Sequence, residues 1–330
     1  EYTVSPPPAI EATGLVKRYG ATTALGGVDI SVAAGSVTAV LGPNGAGTST
    51  AVRILTTLTA PSAGAATVAG FDVATDPTEV RRRIGLAAQD ATVDPLLTGR
   101  ENLVMNGELH QLSRKAARDR ATILLTQFDL DDAGDRLVSG YSGGMRRRRD
   151  LAATLVARPE ILFLDEPTTG LDPRARNDLW KVLETLVGGG TTILLTTQYL
   201  EEADRLADDI IVIDHGRIIA RGDARSLKRQ VGGDQVGVTV SDEDRLDEVA
   251  RILAEVTGSD PVVNRPTRSI TAPTSDRVAG LAAVADALST GEFGIEDLSL
   301  HQPTLDEVFL TLTGAPIDPD SHDDAQEARR

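Results

Sequence analysis

The sequence predicts an α/β fold with a mainly parallel sheet, followed by a smaller α+β domain. Between Val37 and Ile213, apolar strands alternate with helical segments, which is typical of parallel sheets. After Lys228 the predicted order changes to β-α-β-β-α-β. In a parallel sheet the functional groups gather beyond the carboxyl ends of the strands. The search for a site therefore begins where each predicted strand ends.

A glycine-rich loop follows the predicted strand Val37–Leu41 and precedes a helix. It consists of Gly42, Pro43, Asn44, Gly45, Ala46, Gly47, Thr48, Ser49 and Thr50. The pattern G-x-x-x-x-G-K-[ST] binds phosphates through backbone N–H groups and a helix N-terminus. Ser49 stands where a hydroxyl would ligate Mg²⁺, but Thr48 replaces the lysine that reaches the β- and γ-phosphates. The loop predicts phosphate binding with one positive charge missing.

The composition limits the class of protein. The 330 residues can form one large core and a smaller domain, and the absence of cysteine excludes disulfides and thiolate metal sites. The formal net charge of -16 argues against a nucleic-acid partner. No apolar run approaches the roughly 20 residues that span a bilayer, and Glu1 to Ile10 lacks the features of a signal peptide. We therefore expect a cytosolic chain that reaches a membrane only through a partner.

The segment before the loop is predicted to contain a flexible lead over residues 1–8 and a strand from Ala9 to Leu15. Tyr19 could stack on an adenine ring or could be an ordinary turn residue, and the sequence chemistry leaves both open. Beyond the loop, a short two-stranded excursion is predicted over Ala65 to Val73. Gln89 then follows a strand, where its amide could contact Mg²⁺ and a water molecule or could be an ordinary loop side chain.

A helical insertion is predicted over about residues 90–157. Ile123, Leu124, Phe128 and Leu130 recur at helical spacing. The stretch from Ser139 to Met145 then opens another helix, so that Ser142, Gly143 and Gly144 lie at a helix N-terminus that can hold an anion. Within that helix we expect the Arg146–Arg149 run to be solvated or phosphate-facing, with Arg149 reaching the surface.

Two further strands end in polar side chains. The apolar run from Ile161 to Leu164 is followed by Asp165 and Glu166, which point to opposite faces, so that one can face Mg²⁺ and the other a water molecule. The alternative, in which these carboxylates only cap the next turn, is disfavoured by the upstream glycine-rich loop. The strand from Thr192 to Leu195 similarly leads to Gln198. Ser49, Gln89, Asp165 and Gln198 thus fall at or just beyond strand ends.

The C-terminal part is predicted to form a separate domain over residues 229–314, with a hinge at Gly232-Gly233 near its start. Its β-α-β-β-α-β order makes it a candidate for the ferredoxin-like class. No cluster of reactive side chains occurs in it, so we interpret it as a regulatory or dimerisation domain, with a purely structural appendage as the alternative. Residues 315–330 are acidic and poor in apolar residues, which predicts a disordered tail.

Together these motifs resemble the ATP-binding subunit of an ABC transporter, a P-loop NTPase with a helical subdomain, over roughly Ile10 to Ala224. The sequences around Ser142, Asp165 and Gln198, and the segment Pro303 to Leu310, are similar to those of the daunorubicin/doxorubicin-resistance exporters of actinobacteria. The resemblance implies a role for each motif. Tyr19 stacks on adenine, Gly42–Thr50 is the Walker A loop, and Gln89 is the Q-loop residue. Tyr141–Met145 is the signature motif, Ile161–Asp165 is Walker B, Glu166 is the catalytic carboxylate, Asp172 is the D-loop residue, and Gln198 is the switch residue.

The same resemblance implies ATP and Mg²⁺ as cofactors and two kinds of partner. In the family, two copies associate head to tail, so that Ser142, Gly143 and Gly144 of one cover the ATP on the Walker A loop of the other. The dimer drives an integral-membrane permease from the cytoplasmic face of the cell membrane, which suggests drug, antibiotic or lipid efflux. Thr48 predicts weakened binding and hydrolysis, so a non-hydrolysing regulatory or structural module is the alternative. A translation or DNA-repair factor is disfavoured, because the chain has one cassette and no long heptad segment.

Overall fold

The computed structural model describes residues 7–88, 94–231, 234–274, 276–289, 291, 293–301 and 304–313. The chain divides into two compact units between Asp223 and Ala224. Gln89, the Gly232-Gly233 hinge, residues 1–6 of the predicted lead and the predicted tail lie outside the described residues.

The first unit combines strands with seven α-helices over the part of the chain that the structure describes. Its strands are β1 (Ile10–Tyr19), β2 (Thr22–Val32), β3 (Val37–Leu41), β4 (Ala63–Val68), β5 (Phe71–Asp72), β6 (Ile84–Ala87), β7 (Ile161–Asp165), β8 (Thr192–Thr197), β9 (Asp209–Asp214) and β10 (Arg217–Gly222). Its helices are α1 (Thr48–Leu55), α2 (Pro77–Arg83), α3 (Gly99–Leu109), α4 (Arg114–Gln127), α5 (Gly143–Thr154), α6 (Pro173–Gly188) and α7 (Leu200–Leu206).

The central sheet has the strand order β10-β9-β3-β8-β7-β6 and is parallel except for β10. All residues of β3 and β8 are buried, which is typical of a sheet covered on both faces. In the register, Leu41 pairs with Thr197, and Asp165 pairs with Thr196. The chain segments that leave β3, β8 and β7 therefore start side by side.

A second, antiparallel sheet has the order β2-β1-β4-β5. The sequence predicts that Ala9 to Leu15 begins the first strand; in the structure β1 extends to Tyr19, and the sequence pattern does not reveal β2. Irregularities in the β1–β2 register interrupt the pairing between Ala12 and Leu15 and again after Lys17. Such bulges break the alternation of apolar and polar residues from which a strand is recognised.

The helical insertion consists of α3, α4 and α5 together with the turns between them. Thr98 and Glu101 form a reciprocal capping box at the start of α3, and Ser113 caps α4 through the N–H of Ala116. Leu124, Leu125, Phe128 and Leu130 are buried, whereas Ile123 is half exposed on the outer side. Three of the four residues in the predicted helical spacing are therefore buried, Leu124 within α4 and Phe128 and Leu130 just beyond its end.

Arg149 corrects one expectation, because its side chain is buried rather than solvated. It is 1% exposed and forms an ion pair with Asp150. Burial lowers the pKa of Arg149 and raises the pKa of Asp150, while each charge partly offsets the effect on the other. The long side chain does not need to reach solvent because its neighbour in the sequence provides the counter-charge.

We expect the Arg149–Asp150 pair to show strong energetic coupling. Arg149→Leu alone leaves a poorly solvated carboxylate and should lower the free energy of unfolding by about 3 kcal/mol. In the double variant Arg149→Leu/Asp150→Asn, the decrease in the free energy of unfolding should be at least about 1 kcal/mol smaller than the sum of the decreases in the two single variants. Urea unfolding followed by the fluorescence of Trp180 measures this in the first unit, because the chain has a single tryptophan.

The matched control is the exposed pair between Lys181 Nζ and Asp178 Oδ1, 3.0 Å apart on α6. Its coupling energy should stay below about 0.5 kcal/mol. Equal coupling in the two pairs would contradict the importance of burial at Arg149.

The second unit is built around an antiparallel sheet of the order β12-β13-β11-β14. Its elements are α8 (Ala224–Val231), β11 (Gln235–Val240), α9 (Leu246–Thr257), β12 (Val262–Asn264), β13 (Ser269–Pro273), α10 (Arg277–Ser289), β14 (Ile295–His301) and α11 (Leu305–Thr313). Its core includes Val238, Leu253, Ile270 and Val284. In α11, Leu305, Val308 and Phe309 are buried, as the i, i+3, i+4 spacing predicted. Across the described ranges of both units, no helix has the length and apolar character needed to cross a bilayer.

Candidate functional site

The glycine-rich loop connects β3 to α1 in a conformation that depends on its glycines. Gly47, with φ of 108°, immediately precedes α1, and a Cβ at this position would lie 2.4 Å from the carbonyl oxygen of Ala24. A Cβ at Gly42 would lie 2.5 Å from the carbonyl oxygen of Ile213. The N–H of Gly216 donates to the carbonyl of Ala46 at 2.8 Å, which fixes the loop against the turn between β9 and β10. The backbone is thus held where the free N–H groups of the first turn of α1 can meet an anion.

The side chain of Asp165 lies next to the loop at the end of β7. Ser49 Oγ donates to Asp165 Oδ1 at 3.4 Å, and Thr196 Oγ1 donates to the same oxygen at 2.6 Å. A serine hydroxyl and a carboxylate are ligands that suit Mg²⁺, an ion that usually takes few ligands from the protein and keeps water or phosphate for the rest. Two of the three predicted magnesium ligands are therefore adjacent, and the third, Gln89, lies outside the described residues.

Glu166 adopts a left-handed backbone conformation, with φ of 47°. Its N–H donates to the carbonyl oxygen of Thr196 at 3.1 Å and lies 3.2 Å from the hydroxyl of the same residue. Its carboxylate accepts a hydrogen bond from Thr169 Oγ1 at 3.1 Å. A non-glycine residue in this region costs about 1 to 3 kcal/mol and persists only when its surroundings fix it. Strain of this kind is frequent at functional positions.

A single small cavity brings the predicted groups together. Its volume is about 110 Å³, and it is lined by Gly42, Pro43, Asn44, Gly45, Thr48, Ser49, Glu166, Thr196, Thr197 and Gln198. Gln198 is only 6% exposed, and its Nε2 has no hydrogen-bond partner among the described residues. A buried donor without an acceptor costs about 1 to 3 kcal/mol. Gln198 therefore combines a place in the cavity lining with an unsatisfied hydrogen-bond donor that a ligand oxygen could satisfy.

Thr48 also lines this cavity, at the position where the pattern requires lysine. An added Cβ on Gly42 would lie 3.0 Å from the Thr48 Cγ2 methyl, so the side chain is folded onto the loop itself. A hydroxyl and a methyl group thus stand where the pattern provides an extended ammonium group.

Other predicted site residues lie away from this cavity. Tyr19, at the end of β1, is 50% exposed, and Lys17 Nζ lies 5.0 Å from its ring centroid. Ser142 caps α5 by accepting from the N–H of Met145 at 3.3 Å, and Asp172 caps α6 by accepting from the N–H of Ala175 at 2.8 Å. Ser142, Gly143 and Asp172 are exposed, and neither they nor Gly144 or Tyr19 line the cavity.

Arg147 is a site-forming residue, whereas the arginine run from Arg146 to Arg149 predicts a solvated or phosphate-facing helix start. Its partly buried guanidinium donates to four backbone carbonyls, those of Pro167 at 2.8 Å, Asp165 and Glu166 at 3.0 Å, and Ala88 at 3.1 Å. Burial lowers its pKa, and nearby acidic side chains partly offset the effect. Every residue type has a backbone carbonyl, so the sequence does not indicate which carbonyls accept from an arginine. The run of arginines therefore could not reveal this role.

A strand–loop–helix phosphate site, beside a carboxylate pair at the end of a parallel strand, defines a P-loop nucleotide-binding protein. The ABC transporter family model matches residues 25–169. The daunorubicin resistance ATP-binding protein DrrA2 of Streptomyces coeruleorubidus is 54% identical over 306 residues, which cover 93% of this chain and 95% of the relative. The chain therefore belongs to the ATP-binding proteins of the ABC transporter family.

Two more relatives and a solved structure agree with this assignment. The daunorubicin/doxorubicin resistance ATP-binding protein DrrA of Streptomyces peucetius is 49% identical, with 98% of both chains covered. The doxorubicin resistance ATP-binding protein DrrA of Mycobacterium tuberculosis is 44% identical, with 95% of this chain and 96% of the relative covered. A dimeric ATP-binding cassette in a post-hydrolysis state, bound to ADP and Pi, matches 65% of this chain and 98% of its own, with a TM-score of 0.60 and 25% identity.

Proposed function

We propose that this chain is the ATP-hydrolysing subunit of an ABC exporter of the daunorubicin/doxorubicin-resistance type. It acts at the cytoplasmic face of the cell membrane through a separate integral-membrane permease. The resistance functions named for the relatives support the export of a drug or antibiotic. The observation that carries the ATPase proposal is the cavity that the glycine-rich loop, Glu166 and Gln198 line together, with Gln198 Nε2 left without a hydrogen-bond partner among the described residues.

The proposed chemistry assigns a role to each group in or beside this cavity. Glu166 acts as the base that polarises the attacking water, and the Gln198 amide donates to the γ-phosphate. Ser49, Asp165 and Gln89 hold Mg²⁺, which when bound neutralises negative charge on the phosphates. The backbone of the glycine-rich loop holds the phosphate chain, and Tyr19 stacks on adenine. Thr48 leaves this arrangement without its lysine charge, which weakens both binding and turnover.

A second copy of the chain completes the proposed site in a head-to-tail dimer. Ser142, Gly143 and Gly144 lie outside the cavity, at an exposed helix start that suits an anion. In the dimer they cover the ATP bound to the partner, and Asp172 lies at the interface. The dimeric state of the ADP-bound cassette among the similar solved structures supports the association of two copies. ATP then closes the dimer and hydrolysis releases it.

For the C-terminal region we propose a ferredoxin-like domain over residues 229–314 with a regulatory or dimerisation role. The antiparallel order β12-β13-β11-β14 and the β-α-β-β-α-β sequence of elements support this class. Helix α8 belongs to the same compact unit, so the compact unit begins five residues before this range.

A second candidate function follows from Thr48. A site with an intact Glu166 but no Walker A lysine could bind ATP and close without turnover, as a regulatory module of an ABC complex. The two candidates differ in whether restoring the lysine restores hydrolysis.

The proposed magnesium site is tested by calorimetric titration of ATP with and without Mg²⁺. We expect Mg²⁺ to increase the affinity of the parent chain for ATP. In Ser49→Ala this increase should be about tenfold smaller, because the hydroxyl ligand is lost. Ser36→Ala is the matched control, because Ser36 directly precedes the first residue of β3, at the end of the strand that lies away from the loop. It should behave as the parent. A Ser49→Ala chain with the full Mg²⁺ dependence of the parent would contradict the proposed site.

A further inference from the structure

The proposed mechanism leaves one fully buried carboxyl group unused. Glu202 on α7 is 0% exposed, and the indole Nε1 of Trp180 donates to its Oε1 at 3.0 Å. Burial raises the pKa of Glu202, and the hydroxyls of Thr197 and Thr168, the Trp180 indole and the charge of Arg176 partly offset this effect. A carboxyl group at such a depth is unfavourable compared with an apolar side chain of similar size. Packing alone therefore does not explain why glutamate occupies this position.

The neighbours of Glu202 belong to two different parts of the site. Thr197 is the last residue of β8, lines the cavity and directly precedes Gln198. Trp180 is buried on α6, the helix that Asp172 caps. The carboxyl group of Glu202 is thus joined to α6 through Trp180, while its Oε2 has no hydrogen-bond partner among the described residues.

The bonds within α7 make this connection short. The N–H of Glu202 donates to the carbonyl oxygen of Tyr199, the N-cap of α7, at 3.0 Å, and Tyr199 directly follows Gln198. On the other side, α6 is a single continuous helix from Pro173 to Gly188. A movement of Gln198 towards a ligand can therefore reach α6 through one carboxyl group and one indole.

We propose that Glu202 is a positioning residue that fixes the backbone of Gln198 relative to α6, so that contact between Gln198 and the γ-phosphate is transmitted through Trp180 towards Asp172. This inference rests on the proposed ATPase function. It concerns a residue that does not touch the nucleotide, so its effect falls on turnover rather than on ATP affinity. It also makes the single tryptophan of the chain a reporter of the occupied site.

The test uses the full chain carrying Thr48→Lys, in which hydrolysis is expected to be measurable. Glu202→Leu should lower kcat at least about tenfold, which corresponds to the loss of about one hydrogen bond, with KM for ATP changed less than about threefold. Glu202→Gln keeps an oxygen acceptor for the indole and should retain kcat within about twofold. Addition of Mg²⁺-ATP should change the emission of Trp180 in the Thr48→Lys and Glu202→Gln chains and leave it unchanged in Glu202→Leu.

Glu201→Gln is the matched control, because Glu201 is the neighbouring residue and its side chain is exposed. It should behave as the Thr48→Lys parent in every readout. Trp180→Phe keeps an aromatic ring but removes the donor, and it should lower kcat at least about tenfold without changing KM. This variant decides the question if Glu202→Leu does not fold.

The proposal is overturned if kcat falls less than about tenfold in a folded Glu202→Leu or Trp180→Phe chain, or if it falls more than about twofold in Glu202→Gln. It is also overturned if the emission of Trp180 in the Thr48→Lys chain does not change when ATP binds. Calorimetry separates this failure from that of the proposed function. If the Thr48→Lys chain does not bind Mg²⁺-ATP at all, the ATPase proposal itself is wrong.

Discussion

Thr48→Lys is expected to raise Mg²⁺-dependent ATP hydrolysis by about 100- to 1,000-fold, because it supplies a donor to the charge that develops on the transferred phosphoryl group. The same change should tighten ATP binding about ten- to a hundredfold, the value of one charge-assisted hydrogen bond. Thr48 already lines the cavity with Gln198 and Glu166, so a longer side chain from this position enters the space that the phosphates would occupy. Steady-state phosphate release and calorimetric titration measure the two effects.

The matched control for this gain is Thr59→Lys. Thr59 follows the far end of α1, so the substitution adds the same charge to the chain away from the cavity. It should leave turnover at the level of the parent. If the parent already hydrolyses ATP as fast as Thr48→Lys, another cation must replace the lysine and our account of the loop is wrong. If Thr48→Lys binds ATP tightly without turnover, the regulatory module becomes the better description.

Glu166→Gln in the Thr48→Lys chain is expected to lower kcat at least about a hundredfold, because a general base contributes about 10² to 10⁴ to a rate. Glutamine has nearly the same shape and can still accept a hydrogen bond from Thr169, so ATP affinity should change less than about threefold. Because ATP would then persist in the closed site, light scattering should detect a stable dimer in the presence of Mg²⁺-ATP.

The control for this loss is Glu160→Gln, directly before the start of β7, where the glutamate side chain is largely exposed. It removes one carboxylate at the other end of the same strand and should retain the turnover of the Thr48→Lys parent. A Glu166→Gln chain that hydrolyses ATP at a comparable rate would show that the water is activated by another group.

The sequence predicted those parts of the site in which the chemistry follows directly from a strand. The glycine-rich loop, Asp165, Glu166 and Gln198 each follow an apolar run, and parallel pairing of β3, β7 and β8 brings these ends together. The β-α-β-β-α-β order from β11 to β14 was also predictable, whereas α8, which precedes it in the second unit, was not part of the predicted order.

The remaining features depend on tertiary contacts that leave no pattern in the sequence. Arg147 bonds to backbone carbonyls, and any residue type at those positions would offer the same acceptors. The burial of Arg149 depends on a counter-charge in its own helix, whereas an arginine run ordinarily indicates a solvated surface. Glu202 is part of an acidic pair in the sequence, and only the packing of α6 against α7 distinguishes it from the exposed Glu201.

The left-handed backbone at Glu166 sets stability and activity in opposition at a single position. Glycine adopts a φ of 47° without steric strain, so it would be the more favourable residue there for folding. Glycine would also remove the carboxylate to which we assign the activation of water. Selection of variants of this chain for thermal stability alone would therefore favour Glu166→Gly, which is expected to abolish hydrolysis. Selection for stability must be combined with selection for turnover.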